Sequence, residues 1–283
     1  MNPPGSITII EPTDGWRFIN WRELWAYRDL LRLLVWRDFT ARYKQTVLGP
    51  LWYIIQPLLM TLVFNVVFAT FAKISTDDVP PTLFYLSALL AWTYFAQTFQ
   101  NSSDTLSVNA SIFGKVYFPR LIVPFAGVCS NLFAFAVQSG TFAAFFIAYK
   151  LLGYGHSFSL NASAVLLPLV VLQVAATSLG VGLCLSALTA KFRDLQVLSG
   201  FLIQLWFYAT PIIYPLSKVP ARWLWVPALN PMTFPVAFFR HALLNTPSPG
   251  AALAISSVTI TVCLFICGIF LFRRVEKNFV DVA

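Results

Sequence analysis

A short cationic and aromatic segment, residues 113–120, carries the residue types best suited to binding a partner. It reads FGKVYFPR and lies between two strongly apolar stretches. The lysine and arginine offer charge for ion pairs, and the rings offer apolar area of the kind that dominates interface energetics. Pro119 and Pro124 stiffen the exit of the segment; the alternative is a plain basic stop between two spans. The residues expected to contact a partner are Phe113, Lys115, Tyr117, Phe118 and Arg120.

Catalytic and metal-binding patterns are missing from the sequence. No G-x-x-x-x-G-K-[ST] motif occurs, so we expect no P-loop ATP site on this chain. His156 and His241 each lack a second ligand nearby, and the cysteines show no metal-site spacing. The long apolar stretches contain no Asp or Glu, whereas ion-coupled transporters usually keep ionisable residues in their spans. We therefore expect no catalytic residue, no metal and no cofactor on this chain.

Aromatic residues are the distinctive content of the apolar stretches. The chain has 27 Phe, 9 Trp and 10 Tyr. Segments 52–56 (WYIIQ), 84–95 (FYLSALLAWTYF) and 204–214 (QLWFYATPIIY) mix rings with amides and hydroxyls. Aromatic faces stack on the C–H face of a sugar ring, and Tyr, Trp and Gln edges supply hydrogen bonds. Such a lining suits a polar, uncharged polymer; the alternative is that these rings face lipid or pack internally.

The elements that carry these residues are predicted to be membrane-spanning helices. Of 283 residues, 58% are hydrophobic and 11% are charged, whereas soluble domains carry about 25% charged residues. A span needs about 20 apolar residues, and each of six stretches without acidic or basic residues is long enough for one. The sequence predicts an all-α integral membrane protein, with a single transmembrane domain over 1–283 and spans at 51–72, 83–101, 122–149, 163–189, 195–214 and 251–272.

Two further segments and one small-residue stripe complete the expected layout. Residues 16–44 predict an amphipathic helix in the membrane interface, or else a helix of a soluble cap, and its tryptophans favour the interface. Residues 215–240 are too broken by proline for a seventh span and too apolar for a free loop, which predicts re-entrant external helices before the last span. Small residues four apart let another helix approach closely. The stripe is Ser178, Gly182, Ser186 and Ala190, and the interface arginines expected near lipid phosphates are Arg28, Arg32, Arg37 and Arg42.

The distribution of basic residues predicts the orientation in the membrane. Lys and Arg divide 14 to 5 between the two sides of a six-span chain, and Arg240 is counted with the minority. The positive-inside rule makes the majority side cytoplasmic, with both termini there. Orientation and contact with anionic lipid account for the net charge of +8, so we expect no nucleic-acid partner. Residues 1–20 show no removable signal peptide.

Three stretches together resemble the permeases of type 2 ABC exporters, and in particular the polysaccharide branch (O-antigen, capsule and teichoic-acid export). GKVYFPRLIVP is similar to the cytoplasmic link between spans two and three of that family. WRDFTARYKQTVLGPLWYIIQPLL is similar to its N-terminal interface helix running into the first span. YATPIIYPLSKVPARWLWVPALNPMTFPVAFFRHALL is similar to the segment before its last span, with LNP and a trailing arginine. The resemblance covers nearly the whole chain and does not fix the sugar.

The resemblance implies a homodimer in the bacterial inner membrane, with a separate nucleotide-binding ATPase that holds ATP and Mg²⁺. The coupling region, residues 104–120, would then include a coupling helix seated on that ATPase. The pore would form at the dimer axis from spans one and five, with residues 215–240 at its outer mouth. The candidate channel residues are Trp52, Tyr53, Gln56, Gln204, Trp206 and Tyr208.

The predicted function is therefore a permease subunit, not an enzyme, of an ATP-driven exporter that moves a lipid-linked polysaccharide of O-antigen type. The alternatives within transport are a type 2 ABC permease for a teichoic acid, a capsule polymer, a drug or a small lipid. A membrane-bound lipid-linked sugar transferase would need acidic or histidine residues at the membrane face, and Asp104 and Asp194 are poor candidates. A structural scaffold is the remaining alternative.

Overall fold

The computed structural model describes residues 21–44, 46–109, 113, 118–154, 158–192 and 194–278. Over these ranges the chain forms helices and connecting turns without a β-strand, which confirms the all-α expectation. The α-helices are α1 (Trp21–Ala26), α2 (Arg28–Tyr43), α3 (Trp52–Phe64), α4 (Pro81–Ser103), α5 (Thr105–Val108), α6 (Ile122–Tyr149), α7 (Leu167–Thr189), α8 (Leu195–Ala209), α9 (Trp225–Ala228), α10 (Thr233–Leu244) and α11 (Ala251–Asn278). Residues Asn65–Phe71 and Lys150–Tyr154 extend α3 and α6 as π-helical turns.

Four helical segments within the described ranges are long and apolar enough to cross a membrane. They are Gly49–Phe71, Ile122–Tyr154, Ala162–Thr189 and Ala251–Glu276. Helix α4 has 23 residues but lies in the interior of the protein, and α8 has 15 residues. The chain is thus a multi-pass membrane protein in which two of the six expected spans differ in character from the other four.

Proline and glycine set the ends of the apolar helices. Gly49 adopts a φ of 46° and is followed by Pro50, so the chain turns directly into the segment that leads to α3. Helix α8 ends at Ala209 rather than at residue 214, because Thr210 precedes Pro211 and takes an extended conformation (ψ 140°). Residues 215–240 form two 3₁₀ turns, α9 and the first part of α10.

Helix α4 is the centre of the bundle. It packs against α3, α6, α7, α8 and α10, and residues 83–92 are all buried. Its polar side chains bond to neighbouring helices: Thr93 Oγ1 donates to Gln138 Oε1 at 2.5 Å, and Asn131 Nδ2 donates to Thr98 Oγ1 at 3.2 Å. Because α4 contacts protein on all sides, it tolerates hydroxyl and amide groups that a lipid-facing helix would leave unpaired.

Small residues on α7 let the neighbouring helices approach until the backbones are almost in contact. A Cβ atom added to Gly182 would collide with the side chain of Ser102 in α4, which confirms that the small-residue stripe admits another helix. On the opposite side, a Cβ atom on Gly180 would lie 2.7 Å from the Cα of Phe265 in α11. The side chains of Thr177 and Thr261 are hydrogen-bonded across the same pair of helices at 2.8 Å.

Candidate functional site

The described aromatic residues of the coupling region face the interior of the chain. Phe113 and Phe118 are buried and their ring centres are 5.6 Å apart. They join a cluster that includes Leu179 and Leu183 of α7 and Phe272 of α11. The sequence suggested that these rings offer apolar anchors to a partner, but the structure shows that they anchor the coupling region to this chain's own helices.

Arg120 is likewise turned inward. It is 9% exposed, and its Nη1 donates to the backbone oxygen of Glu276 at 2.6 Å. The backbone N–H of Arg120 donates to Glu276 Oε1 at 3.3 Å, and the guanidinium lies 5.5 Å from the centre of the Phe113 ring. This corrects the expectation that Arg120 offers its charge outward: it joins the coupling region to the end of α11.

Lys115 and Tyr117 lie outside the described residues, so their contact with a partner stays a prediction. The described part of the region nevertheless fixes both ends of the segment that holds them. Phe113 and Phe118 pack into one cluster, and Arg120 is bonded to α11. The described residues on either side of it therefore lie against α6, which begins at Ile122, and against α11.

Helix α2, which the sequence predicts to lie in the membrane interface, packs apolar residues on α6. Leu34 is buried against Ile122 and Ala126 of α6, and the rings of Phe39 and Phe133 meet edge to face at 4.8 Å. Trp25 and Trp36 are 72% and 68% exposed. Arg28, Arg32 and Arg37 of α2 are exposed as well, and the position of this helix at the lipid headgroups stays a prediction.

The described hydrogen bonds and ion pairs of Arg28, Arg32 and Arg37 are short-range and lie within α1 and α2. Arg28 donates to Trp25 O at 3.4 Å, Arg32 pairs with Asp29 at 3.5 Å, and Arg37 pairs with Asp38 at 2.9 Å. Exposed pairs of this kind contribute little to stability, so these cations retain their capacity to bind phosphate. The side chain of Arg42 lies outside the described part of the structure, and its role stays a prediction.

The candidate channel residues fall into an exposed group and a partly buried group. Trp52 and Tyr208 are 51% and 59% exposed, and Gln56 and Gln204 are also exposed, whereas Tyr53 and Trp206 are partly buried. The indole N–H of Trp206 donates to Asn230 Oδ1 at 2.8 Å, and its ring meets Phe95 at 5.0 Å. The structure places these residues on α3 and α8, which meet through Phe64 and Phe207 at 5.7 Å. Their role in a channel stays a prediction.

Asn230 joins the C-terminal end of α8 to the segment that follows it. Its Nδ2 donates to Ala209 O at 3.2 Å and to Thr210 Oγ1 at 2.9 Å. Its Oδ1 accepts hydrogen bonds from Trp206 Nε1 and from the backbone N–H of Met232, at 2.9 Å for the latter. The Asn230 amide thus bonds both to the last turn of α8 and to the non-helical segment that follows Ala209, which we call the break. In the sequence, Asn230 was visible only as part of the LNP stretch.

Arg240 is the second residue that stabilises the break after Ala209, and the sequence analysis was wrong about its location. It was counted as an outer-loop charge, yet it is 3% exposed. Its Nη1 donates to Pro211 O at 2.6 Å and to Tyr214 O at 3.3 Å, and its Nη2 donates to Ile212 O. With Arg240 removed from the outer-loop count, the charge asymmetry that indicates the orientation becomes larger.

Comparison with known proteins gives the family. A sequence profile described as ABC-2 type transporter matches residues 29–244. The chain belongs to the ABC-2 type transporter family. The resemblance read from the coupling region, the interface helix and the LNP segment is thereby confirmed, and the chain has a role in transport.

This ABC-2 transporter is also similar to curated permeases along nearly its whole length. It is 32% identical to the O-antigen export system permease protein RfbA of Myxococcus xanthus, over 90% of this chain and 96% of that protein. It is 28% identical to the protein of the same name in Klebsiella pneumoniae, over 90% and 95%. It is 23% identical to the polysialic acid transport protein KpsM of Escherichia coli, over 85% and 91%.

The region that the family profile matches ends before the last helix of the chain. Residue 244 is the end of α10, so the matched region contains the interface helix, the coupling region and both residues that cap α8. Helix α11 lies beyond it, yet α11 packs extensively on α7 and bonds Arg120. In this ABC-2 transporter the last helix is therefore an integral part of the bundle.

Proposed function

We propose that this chain is the membrane-spanning permease of an ATP-driven exporter that moves a lipid-linked polysaccharide of O-antigen type. The similarity to O-antigen export permeases over 96% of the Myxococcus xanthus protein is the observation that carries the proposal. The exposed rings and amides on α3 and α8 support it, because such a surface stacks on sugar rings and hydrogen-bonds their hydroxyls.

Six spans follow if α4 and α8 cross the membrane together with the four long apolar helices. At about 1.5 Å per residue, 23 residues of α4 reach about 35 Å, enough for a hydrocarbon core of about 30 Å. The 15 residues of α8 reach only about 22 Å. The chain then continues through residues 210–213, which are buried. Arg240 donates to the carbonyls of Pro211 and Ile212, and Asn230 donates to the carbonyl of Ala209 and to the side-chain oxygen of Thr210. Non-helical backbone inside the membrane must have its N–H and C=O groups hydrogen-bonded within the protein in this way.

The orientation and location follow from the same layout. Six spans place both termini on one side, which the basic residues of the N-terminal segment and of α11 make cytoplasmic. The membrane is then the bacterial inner membrane, and residues 215–240 form a re-entrant segment on the outer side. Helices α1 and α2, with the exposed Trp25 and Trp36 and the exposed arginines of α2, lie against the cytoplasmic headgroups.

Two copies of the chain form the pore in this proposal. The exposed surfaces of α3 and α8 face each other across the dimer axis, and Trp52, Tyr53, Gln56, Gln204, Trp206 and Tyr208 belong to the channel wall. Each copy binds a nucleotide-binding subunit through the coupling region, with Lys115 and Tyr117 as its contact residues. ATP and Mg²⁺ reside on that subunit, and this chain carries no cofactor.

The substrate is tested by deleting the gene in its own host. We expect the surface polysaccharide to disappear and the completed lipid-linked polymer to accumulate on the cytoplasmic side of the inner membrane. Expression of the intact chain from a plasmid restores export. Normal surface polysaccharide in the deletion strain would overturn the proposal, and accumulation of a drug or small lipid instead would favour the alternative substrates.

A further inference from the structure

A groove beyond the outer end of α8 has the size of a small-ligand site. Its volume is about 400 Å³, within the range of about 300–1,000 Å³ typical of ligand pockets. Tyr214, Lys218, Pro220, Trp223 and Pro227 contribute to its walls. The groove lies on residues 214–227, at the start of the re-entrant segment that the proposed orientation places on the outer side.

The walls of the groove are held in place before any ligand binds. The carbonyl of Tyr214 accepts a hydrogen bond from the buried Arg240 at 3.3 Å. Trp223 stacks on Trp225, with ring centres 6.5 Å apart and planes at 29°. Pro220 and Pro227 restrict the backbone on either side. A preformed site of this kind loses little conformational entropy when a ligand binds.

The groove combines an aromatic face with positive charge. Trp223 is 50% exposed and presents an accessible ring. Arg222 does not line the groove, but its guanidinium lies 5.9 Å from the centre of that ring. Lys218 is exposed at the groove wall. Residues 214–227 contain no Asp or Glu; the carboxylate of Asp77 accepts a hydrogen bond from Ser217, which does not line the groove. The groove therefore favours a ligand with a C–H-rich face and a negative charge.

We propose that this groove binds a sugar that carries a carboxylate or a phosphate. The sugar ring lies on Trp223 and the anionic group pairs with Lys218. The inference rests on the proposed function, because it takes the ligand to be a unit of the exported polymer on the outer side. The channel surface on α3 and α8 lacks charged side chains, so the groove adds a selectivity for anionic sugars that the channel itself does not provide.

The shape of the groove favours a sugar over the membrane surface. Its residues line a recess, whereas Trp225 and Leu229 protrude beside it with 59% and 64% of their surface exposed. Protruding aromatic and aliphatic side chains are the ones that reach headgroups and acyl chains. The membrane contact of this segment is therefore assigned to Trp225 and Leu229, and the recess remains accessible to a soluble ligand.

The test measures binding to the full chain in phosphatidylcholine nanodiscs by titration calorimetry. The probes are oligosialic acid of four residues, which is anionic, and maltotetraose, which is neutral. We expect Lys218→Gln to weaken oligosialic acid binding about fivefold and to leave maltotetraose binding unchanged. Trp223→Ala weakens the binding of both probes, and Trp223→Phe restores part of it. Lys150→Gln, an exposed lysine at the end of α6, is the matched control and changes neither.

Three outcomes would overturn the groove assignment. One is equal oligosialic acid binding by the wild type, Lys218→Gln and Trp223→Ala. Another is equal affinity of the wild type for both probes. The third is that Lys218 and Trp223 contact lipid when the chain is placed in phosphatidylglycerol nanodiscs, while oligosialic acid does not bind. The groove would then be a lipid contact. Neither ATP nor a partner subunit takes part in this binding measurement. A negative binding result therefore leaves the export proposal intact, and a negative export result leaves the measured binding intact but removes the identification of the ligand as a unit of the exported polymer.

Discussion

The guanidinium carbon of Arg240 lies 3.6 Å from the centre of the Phe84 ring. A cation of α10 thus packs on the first turn of α4, and its Nε donates to Phe84 O at 3.4 Å while its other nitrogens donate to the carbonyls after α8. Three elements therefore meet at one side chain. The break after Ala209 is held in a single conformation because its backbone acceptors are bonded to this buried donor.

Replacement of Arg240 by Ala tests this arrangement. We expect a loss of at least about 3 kcal/mol in the free energy of unfolding, since each buried carbonyl left unpaired costs about 1–3 kcal/mol. Arg240→Lys retains the charge but not the planar fork, so it recovers only part of the loss. The midpoint of thermal unfolding in detergent measures both. Arg222→Ala removes an exposed arginine nearby as the control; an equal shift for Arg222 and Arg240 would contradict the assignment.

The close crossing of α7 and α11 gives a second prediction. A Cβ atom on Gly268 would collide with the backbone of Gly180, so the helices must separate. We expect Gly268→Ala to destabilise the protein by about 1–3 kcal/mol through overpacking. Gly140→Ala is the matched control, because a Cβ atom there meets nothing within 4 Å and alanine favours the helix by about 0.5–1 kcal/mol. Thermal unfolding should therefore show shifts of opposite sign, and a stable Gly268→Ala variant would refute the crossing.

The coupling region separates binding of a partner from transmission of its movement. Lys115→Glu should weaken the binding of the ATPase subunit, measured by co-purification. Arg120→Ala should leave that binding unchanged but lower the amount of polymer exported per ATP hydrolysed, because the bond to the Glu276 backbone is lost. Arg274→Gln, at an exposed position near the end of α11, should change neither quantity. If Arg120→Ala abolishes co-purification while the protein remains folded, binding and transmission of movement do not depend on separate residues.

The channel assignment predicts a kinetic effect without loss of assembly. Trp52→Ala and Tyr208→Ala should each slow export roughly two- to tenfold, the factor that corresponds to about 0.5–1.5 kcal/mol of aromatic contact. Phe270→Ala removes an exposed ring of α11 that the proposal leaves facing lipid, and export should continue at the normal rate. Equal slowing by all three variants would mean that ring exposure, not position on α3 and α8, determines the effect.

Helix positions were largely predictable because apolar length and proline determine them. The segments that contain α3, α6, α7 and α11 stand out as long stretches without charge. Pro50 lies at the start of the helical segment that leads to α3, and α4 begins at Pro81, two residues before the expected start of that span. The small-residue stripe of α7 likewise gave its contact with α4. The end of α8 was misplaced since residues 210–214 are apolar, and the effect of Pro211 on Thr210 outweighs that apolarity.

The direction in which cations and rings point was not predictable in the same way. Arg240 follows an apolar run and was read as a loop charge, because its partners are carbonyls freed only when α8 ends early. Arg120 and Phe118 lie in a link rich in polar residues, and the cluster that buries them comes from α7 and α11, far away in sequence. For Arg240, the signal in the sequence is a charge in an apolar context without an acidic residue in its own helix.

Reconstitution into vesicles tests the central claim most directly. The measurement is ATP-dependent movement of radiolabelled lipid-linked polysaccharide across the bilayer, with the permease alone, with its ATPase subunit, and with the ATPase subunit and the Lys115→Glu variant. The account predicts transport only when the wild-type chain and the ATPase are present together with ATP. Transport by the permease alone, without any nucleotide-hydrolysing subunit, would contradict it.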